Sequence, residues 1–375
     1  MSANKTVTGF DYRKVFKLVC IAWFVSKIIC YKLWLADRLF PLVPIHESLA
    51  TIPPFLHSAL FVISLACLLA FLFFPDKKIM ILLLLAELLS CMLDQNRWQP
   101  WEYQFIFMLA AMVFCKEEKQ VLFAWQWIIA GLYFFGGLGK LNSAFIHDTW
   151  QYLVLHKWLG VAGTNISITR AGYLLPLIEM AAGAGLLFRL SRKFSIVILI
   201  STHLIILLMF GPFGLNRSKG IWPWNLLMPV CLYYLFYNKA VVFNRSYLRK
   251  PFNRLVILCW CILPWLQLVG YWDKNLSAVL YSGGVEQLFI CTKNPAAQKQ
   301  MAPYYTDSTF RFIPCNHSLS VFEWSLKEIH TAPYPEKRVF DAIILAWKKR
   351  YPGTGDRFYL YKPGFSYSVK EIISP

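Results

Sequence analysis

The sequence predicts an all-α polytopic membrane helix bundle of about nine spans, followed by a small α+β extracytoplasmic C-terminal region. Three observations predict it. Of the 375 residues, 57% are hydrophobic and only 15% charged, against roughly 25% charged in an ordinary soluble domain. Apolar stretches close to the ~20 residues that a helix needs to cross a bilayer recur up to position 271. From position 272 onward the composition turns to the mixed pattern of a soluble fold.

The apolar stretches lie at 15–35, 54–74, 79–93, 103–115, 121–138, 171–190, 194–210, 223–237 and 255–271. The first follows the charged DYRK and lacks a small-residue cleavage site, so a retained anchor is expected. The fourth is short, which suits a tilted or re-entrant segment. With the N-terminus inside, cytoplasmic segments hold fifteen Lys and Arg, from Lys5, Arg13 and Lys14 to Arg249, Lys250 and Arg254, while the opposite loops hold seven. That bias puts the N-terminus in the cytoplasm and, after nine crossings, the C-terminus outside. The net charge of +18 is then read as loops facing anionic lipid, because no basic run is interleaved with a nucleic-acid recognition motif. Ten cysteines without a CxxC pair predict neither zinc nor thioredoxin-type chemistry, and no metal site is expected.

The chain divides at this point into a bundle, 1–271, and a cap, 272–375. Within the cap AVLYSGGVEQLFIC, 278–291, reads as strand, glycine turn and strand. EKRVFDAIILAWKKRY, 336–351, sets Phe340, Ile343, Ile344 and Trp347 on one helical face, and DRFYLY suggests a closing strand. Cys291 and Cys315 fall on the oxidising side of this topology, where a disulfide between them is open.

Four ionisable side chains sit in or beside spans, where a charge at mid-bilayer costs at least ~2.5 to 3.5 kcal/mol and needs a partner or a wet cavity. They are Glu87, Glu179, His203 and Lys140. The first three lie seven or eight residues from the outer helix ends, roughly 10 to 12 Å deep at 1.5 Å per residue. If their helices are neighbours, a carboxylate, an imidazole and an amine converge in one outward pocket. The other readings stay open: Lys140 as a lysine snorkelling from a helix end, Glu179 bonded to backbone freed by Pro176, and His203 and Glu87 as packing residues. DQNRWQPWEY, 94–103, pairs Asp94 with Arg97 and places Trp98 and Trp101 in an interfacial belt. With WPWN it is expected to frame the pocket mouth, so Arg97, Trp224 and Asn225 join Glu87 as candidates for ligand contact.

The run YFFGGLGKLNSAFIHDTWQYLVLHKW, 133–158, resembles vitamin K-dependent gamma-glutamyl carboxylase and the related bacterial HTTM membrane proteins, where an apolar helix ends in a glycine and a lysine and a Tyr-Leu-x-x-His-type segment follows. PLIEMAAGAGLLF and STHLIILLMFGPF look similar to the next spans of that family. The resemblance is specific across about 125–215. It implies Lys140 as the base that deprotonates vitamin K hydroquinone or another quinone, with Glu179 and His203 orienting it, and it adds His156 as a ligand contact. Two departures count against carboxylation of peptide glutamates: Gly139 stands where the carboxylase has a second lysine, and only the last hundred residues supply an outer region. GGLGKL is also similar to DoxX and MauE-type membrane proteins of redox or disulfide pathways.

The expected function is therefore that of an integral protein of a bacterial inner membrane, surrounded by lipid, whose outward pocket binds a quinone-like lipophilic molecule. By resemblance alone the activity would be that of a quinol-linked lyase or an oxidoreductase. The alternative is a non-enzymatic scaffold or accessory subunit that presents the cap to an exported protein partner.

Overall fold

A helix begins where a side chain can satisfy its first amides, and the chain supplies such caps repeatedly. The computed structural model of the protein describes residues 11–161, 165–237, 239–241, 243, 245–305, 313, 315, 318–353, 355–362 and 368–372. Lys5, counted above toward orientation, lies outside them. Helix α1, Tyr12–Ile29, starts on the Asp11 carboxylate, which accepts the Arg13 and Lys14 amides. Helix α2, Pro54–Phe73, and α4, Pro100–Phe114, open on a proline, whose missing N–H is one of the unpaired first-turn donors in any case. Between them α3, Lys77–Leu93, is capped by Asp76. Helices α5, Glu118–Leu138, α6, Leu174–Gly185, α7, Arg192–Phe210, and α8, Trp222–Phe236, follow. The α9 segment, Pro251–Val269, starts as a helix, widens over Leu258–Ile262 and tightens into 3₁₀ turns from Leu263. Pro264 removes an amide donor at that change of winding.

The fold is mostly helical, and α2, α5, α7 and α9 are long and apolar enough to cross a membrane. Their surroundings differ. In α5 83% of the apolar window is buried, against 28%, 33% and 28% in α2, α7 and α9. Helix α5 is thus the central rod, packed by α4, α6, α8 and α9, while the other three turn apolar flanks such as Phe55, Val62, Phe194 and Val197 outward. The stretch 171–190 forms a shorter helix than its hydropathy suggests: α6 has 12 residues, or about 18 Å of rise. Its start is set by a break at Gly172, against which the Trp150 ring packs.

The cap holds a four-stranded antiparallel sheet in the order β2-β1-β3-β4, with β1 Gln287–Cys291, β2 Ser318–Ser320, β3 Arg357–Lys362 and β4 Ser368–Ile372. Strand alternation sends Leu288, Ile290, Phe358 and Leu360 to one face. There they meet Trp324 of α11, Val321–Glu328, and Phe340, Ile343 and Trp347 of α12, Lys337–Arg350. The same apolar core runs on without a break into α1 and α5. Phe289, Cys291 and Tyr359 face the other way, where Cys291 forms a disulfide with Cys315. Helix α10, Pro295–Met301, follows β1 in the chain and precedes β2.

The first strand expected at 278–281 does not form. Ala278 and Tyr281 adopt left-handed φ values of 56° and 53°, which no strand tolerates. This segment instead lies across the end of α5.

The cap is seated on the loop 94–99. Asn96 Oδ1 accepts the Tyr334 amide at 3.0 Å, Gln95 Oε1 accepts Arg338 Nε at 2.8 Å, and Gln99 Nε2 donates to the Ala332 carbonyl at 3.0 Å. Glu328 accepts the Leu39 and Phe40 amides at 2.6 and 2.9 Å. The Asp94 carboxylate pairs with Arg38 and not with Arg97 as its spacing suggested, because Arg38 is carried beside it by the chain after α1.

Candidate functional site

Helix α5 ends at Leu138; Gly139 caps it, its amide still donating to the Phe135 carbonyl at 2.9 Å, and its missing side chain leaves room for Val279. Lys140 then leaves in the first turn beyond the helix. Tyr133, Gly136, Gly137 and Lys140 share one face of this end. Glycine at 137 lets α6 lie directly on α5: a Cβ there would stand 2.6 Å from Met180 N and 2.7 Å from the Pro176 carbonyl oxygen. Gly183 does the same one turn lower, 2.6 Å from Phe134 N. That close approach brings Glu179 to Lys140, whose Nζ donates to Oε2 at 2.6 Å. Their side chains are 13% and 15% exposed, so Lys140 is paired and largely covered, not snorkelling into solvent.

On the other side of Tyr133 stands His203 of α7. Asn225 uses its amide nitrogen on the Ile221 carbonyl at 2.9 Å, which turns its oxygen toward His203 Nδ1 at 2.7 Å. Nδ1 therefore carries the proton, and Nε2 accepts the Tyr133 hydroxyl at 2.6 Å. Trp224 packs edge-on to the imidazole and donates its indole N–H to Gln104 Oε1 at 2.8 Å. Lys140 lies within electrostatic reach of His203, and Glu179 within reach of Tyr133. Lys140, Glu179, His203, Trp224 and Asn225 thus occupy one region of the molecule.

A cavity of about 420 Å³ lies next to this region, between the helix ends and the cap. Val279, which packs on Gly139, and Phe210, the last residue of α7, form part of its wall, while Lys140, Glu179 and His203 do not line it. Tyr281 stacks on Phe210 with ring centroids 4.6 Å apart. The lining is mainly apolar, from Leu288 and Phe289 of β1, Phe322 and Leu326 of α11 and Phe340 of α12. A few charged groups interrupt it, among them the Arg217–Glu323 ion pair, Glu286 paired with Lys362 at 2.7 Å, and Asp148. Burial pushes Asp148 up to about 6, against the opposing pull of His147 and of a hydrogen bond with Tyr361.

Three candidates fall elsewhere. Glu87 does not converge with Lys140; it joins Lys27, 2.8 Å away in the first half of the bundle. Arg97 is fully buried, with all five donors directed at the Leu33, Trp34 and Ser90 carbonyls, the Ser90 hydroxyl and His57 Nδ1. None is left for a ligand, so Arg97 clamps the first three helices together. His156 is exposed beside Tyr152 on the wide-turned helix Phe145–Trp158 and does not line the cavity. Residues that sequence reasoning missed include Tyr133, legible only as the position seven before Lys140, Lys27, a charge in the middle of the first apolar stretch, and Glu102, a charge at the margin of the fourth. Among the described residues no group of three or more His, Cys, Asp or Glu is placed to hold a metal ion.

Compared with protein-family models, curated proteins and solved structures, the chain matches none.

Proposed function

We propose that the chain is an integral membrane protein crossing the bilayer nine times, with its N-terminus cytoplasmic and its cap outside. We further propose that it binds a lipophilic, quinone-like molecule beneath the cap, with Lys140 as the group that takes a proton from it. The observation that carries this reading is the Lys140–Glu179 pair, held beside the Tyr133–His203–Asn225 chain and one side chain away from an apolar cavity. A volume of about 420 Å³ falls in the ~300 to 1,000 Å³ range of small-molecule pockets. Broad outward apolar flanks on α2, α7 and α9 suit hydrocarbon surroundings better than water.

Chemically, the pair stores a proton on the amine while Glu179 faces it. An apolar ligand that displaces water weakens both charges together. The proton then passes to the carboxylate and leaves a neutral amine able to accept one from a ligand hydroxyl. Contact requires the segment 278–285 to shift, since Val279 stands between. Tyr133 and His203 hold each other in place and would orient the ligand's polar end.

The test is native mass spectrometry with lipid extraction of full-length wild type and Lys140→Ala, with and without added quinone. Retention by the wild type and a loss of about tenfold or more in the variant supports the reading. Equal retention removes Lys140 from the site. Uptake by neither, even with quinone added, overturns the ligand reading in favour of a scaffold that presents the cap to an exported partner. Reporter fusions after Lys78 and Lys193 check the orientation, and an outside signal from either reverses it.

A further inference from the structure

Acidic residues are missing from a long stretch of this chain. Between Glu179 and Asp273 there is no Asp or Glu, while Arg189, Arg192, Lys193, Arg217, Lys219, Lys239, Arg245, Arg249, Lys250 and Arg254 all fall there. Arg217 is paired with Glu323 beside the cavity, and Lys219 follows it closely in the chain. The others stand at the opposite end of the bundle, where α6 turns into α7 and α8 leads to α9. Asp11, Asp76, Glu117 and Glu118, at other helix starts, have cations of their own in Arg13 and Lys14, Lys77 and Lys78, and Lys116 and Lys119. They leave the charge at the α6–α7 turn unanswered.

Four of these cations are drawn together by the backbone. The Arg192 guanidinium donates to the Leu186 carbonyl at 2.9 Å and to the Lys239 carbonyl at 2.6 Å, which ties the turn to the chain leaving α8. Both acceptors are neutral, so the Arg192 charge is fixed in place without being balanced. Arg189 lies within electrostatic reach of it. Lys193 is next in the chain, its Nζ 6.0 Å from the centroid of the Tyr237 ring. Like charges held in one place repel until an anion joins them. Among the described residues no carboxylate pairs with any of the four.

The surface beside them is apolar. Leu190, within the turn, is 96% exposed, and Phe194 and Val197 carry an outward apolar flank along α7. On the neighbouring α8 Tyr233 and Tyr237 stack with ring centroids 5.0 Å apart and are also exposed. A cationic rim above an apolar and tyrosine flank complements a molecule with an anionic head and hydrocarbon tails. A free phosphate would use the rim alone.

We propose that the α6–α7 turn is a specific site for an anionic phospholipid, with the phosphate against Arg189, Lys193 and Lys239 and the acyl chains along Phe194 and Val197. Arg192 positions the site by clamping the turn to residue 239. The site rests on the reading of the chain as a membrane protein and is independent of the chemistry at Lys140.

Native mass spectrometry of the full-length protein, offered phosphatidylglycerol and phosphatidylcholine in equal amounts, tests this. The wild type is expected to retain the anionic lipid about tenfold over the neutral one, an effect within reach of a few cations near a headgroup. Combined Arg189→Gln, Lys193→Gln and Lys239→Gln abolishes the preference. Combined Arg245→Gln, Arg249→Gln and Lys250→Gln, which removes as much charge from the same end, keeps it. Equal losses in the two variants overturn the site in favour of diffuse charge, and displacement by excess glycerol 3-phosphate overturns the lipid in favour of a free anion. Should the variants fail to fold, the wild type decides: its preference must fall as salt is raised, because screening shortens the reach of the cations from about 10 Å at 0.1 M to about 3 Å at 1 M. A detergent-solubilised wild type without headgroup preference overturns the proposal alone. A protein that stays in buffer without detergent and ignores phosphatidylcholine vesicles overturns the membrane reading, and the site with it.

Discussion

Two lysine–glutamate pairs hold this molecule together at different depths. Lys140 and Glu179 meet at 2.6 Å where α5 ends, each about one-seventh exposed, with a cavity close by. Lys27 and Glu87 meet at 2.8 Å with no exposure, and a second carboxylate and an indole ring close the site. Near-identical pairs are therefore open to different chemistry. At the helix end either partner can be solvated if the other is called away, so the pair can trade its proton with a visitor. In the sealed centre neither partner can leave without stranding the other as an uncompensated buried charge.

The comparison breaks most readily at Lys27. Replacing it with Ala strands two buried carboxyls, and a loss of about 3 to 5 kcal/mol is expected, seen as a collapse of the thermal transition of the full-length protein in detergent. The double variant Lys27→Met with Glu87→Leu is expected to restore part of that loss, because only the Glu102 carboxyl is then left without the ammonium. A cost below about 1 kcal/mol for Lys27→Ala would mean that water reaches the cluster.

Lys140→Ala sharpens the contrast from the other side. It is expected to cost no more than about 1 kcal/mol, since Glu179 keeps access to solvent, while ligand retention falls. Stability loss equal to that of Lys27→Ala would make the two centres alike.

The smallest effect is expected at Asp148, which tests whether the cavity wall is as dry as its lining suggests. A carboxyl held at about 6 in the folded protein, above its ordinary value near 3.8, disfavours folding once it ionises. The penalty is absent below the unfolded value, grows between it and about 6, and is complete above that. Asp148→Asn should therefore raise the melting temperature at pH 8 and leave it nearly unchanged at pH 4. An equal shift at both would point to packing and not to charge.

Much of the helical layout was legible because apolar runs and glycine punctuation are local signals. The end of α5 at Gly139, the helix at 337–350 and the strand at 357–362 all follow from residues within a few positions of each other. Lys140, Glu179 and His203 stood out as charges in apolar runs, and their neighbourhood depends on small residues, Gly137 and Gly183, whose packing role the sequence only hints at. What local pattern does not contain is pairing across distance. Glu87 was drawn to the wrong partners because Lys27 lies 60 positions away, and Arg97 looked like a pocket residue because its carbonyl acceptors leave no mark in composition. The expected strand at 278–281 failed for a similar reason: a short continuous apolar run is bent into left-handed turns to cover the end of α5.

The seat of the cap on the loop 94–99 bears on how the protein is made. Asn96, Gln95 and the Leu39 and Phe40 amides are synthesised in the first third of the chain, but their partners Tyr334, Arg338 and Glu328 come near its end. Until then those groups wait unmatched, and the apolar core shared by α1, α5 and the cap lacks its last layer. A chain released before about residue 340 would carry that defect permanently. The seat thus ties the first third of the chain to its last, and a copy cut short of it lacks both these hydrogen bonds and the apolar layer that completes the core.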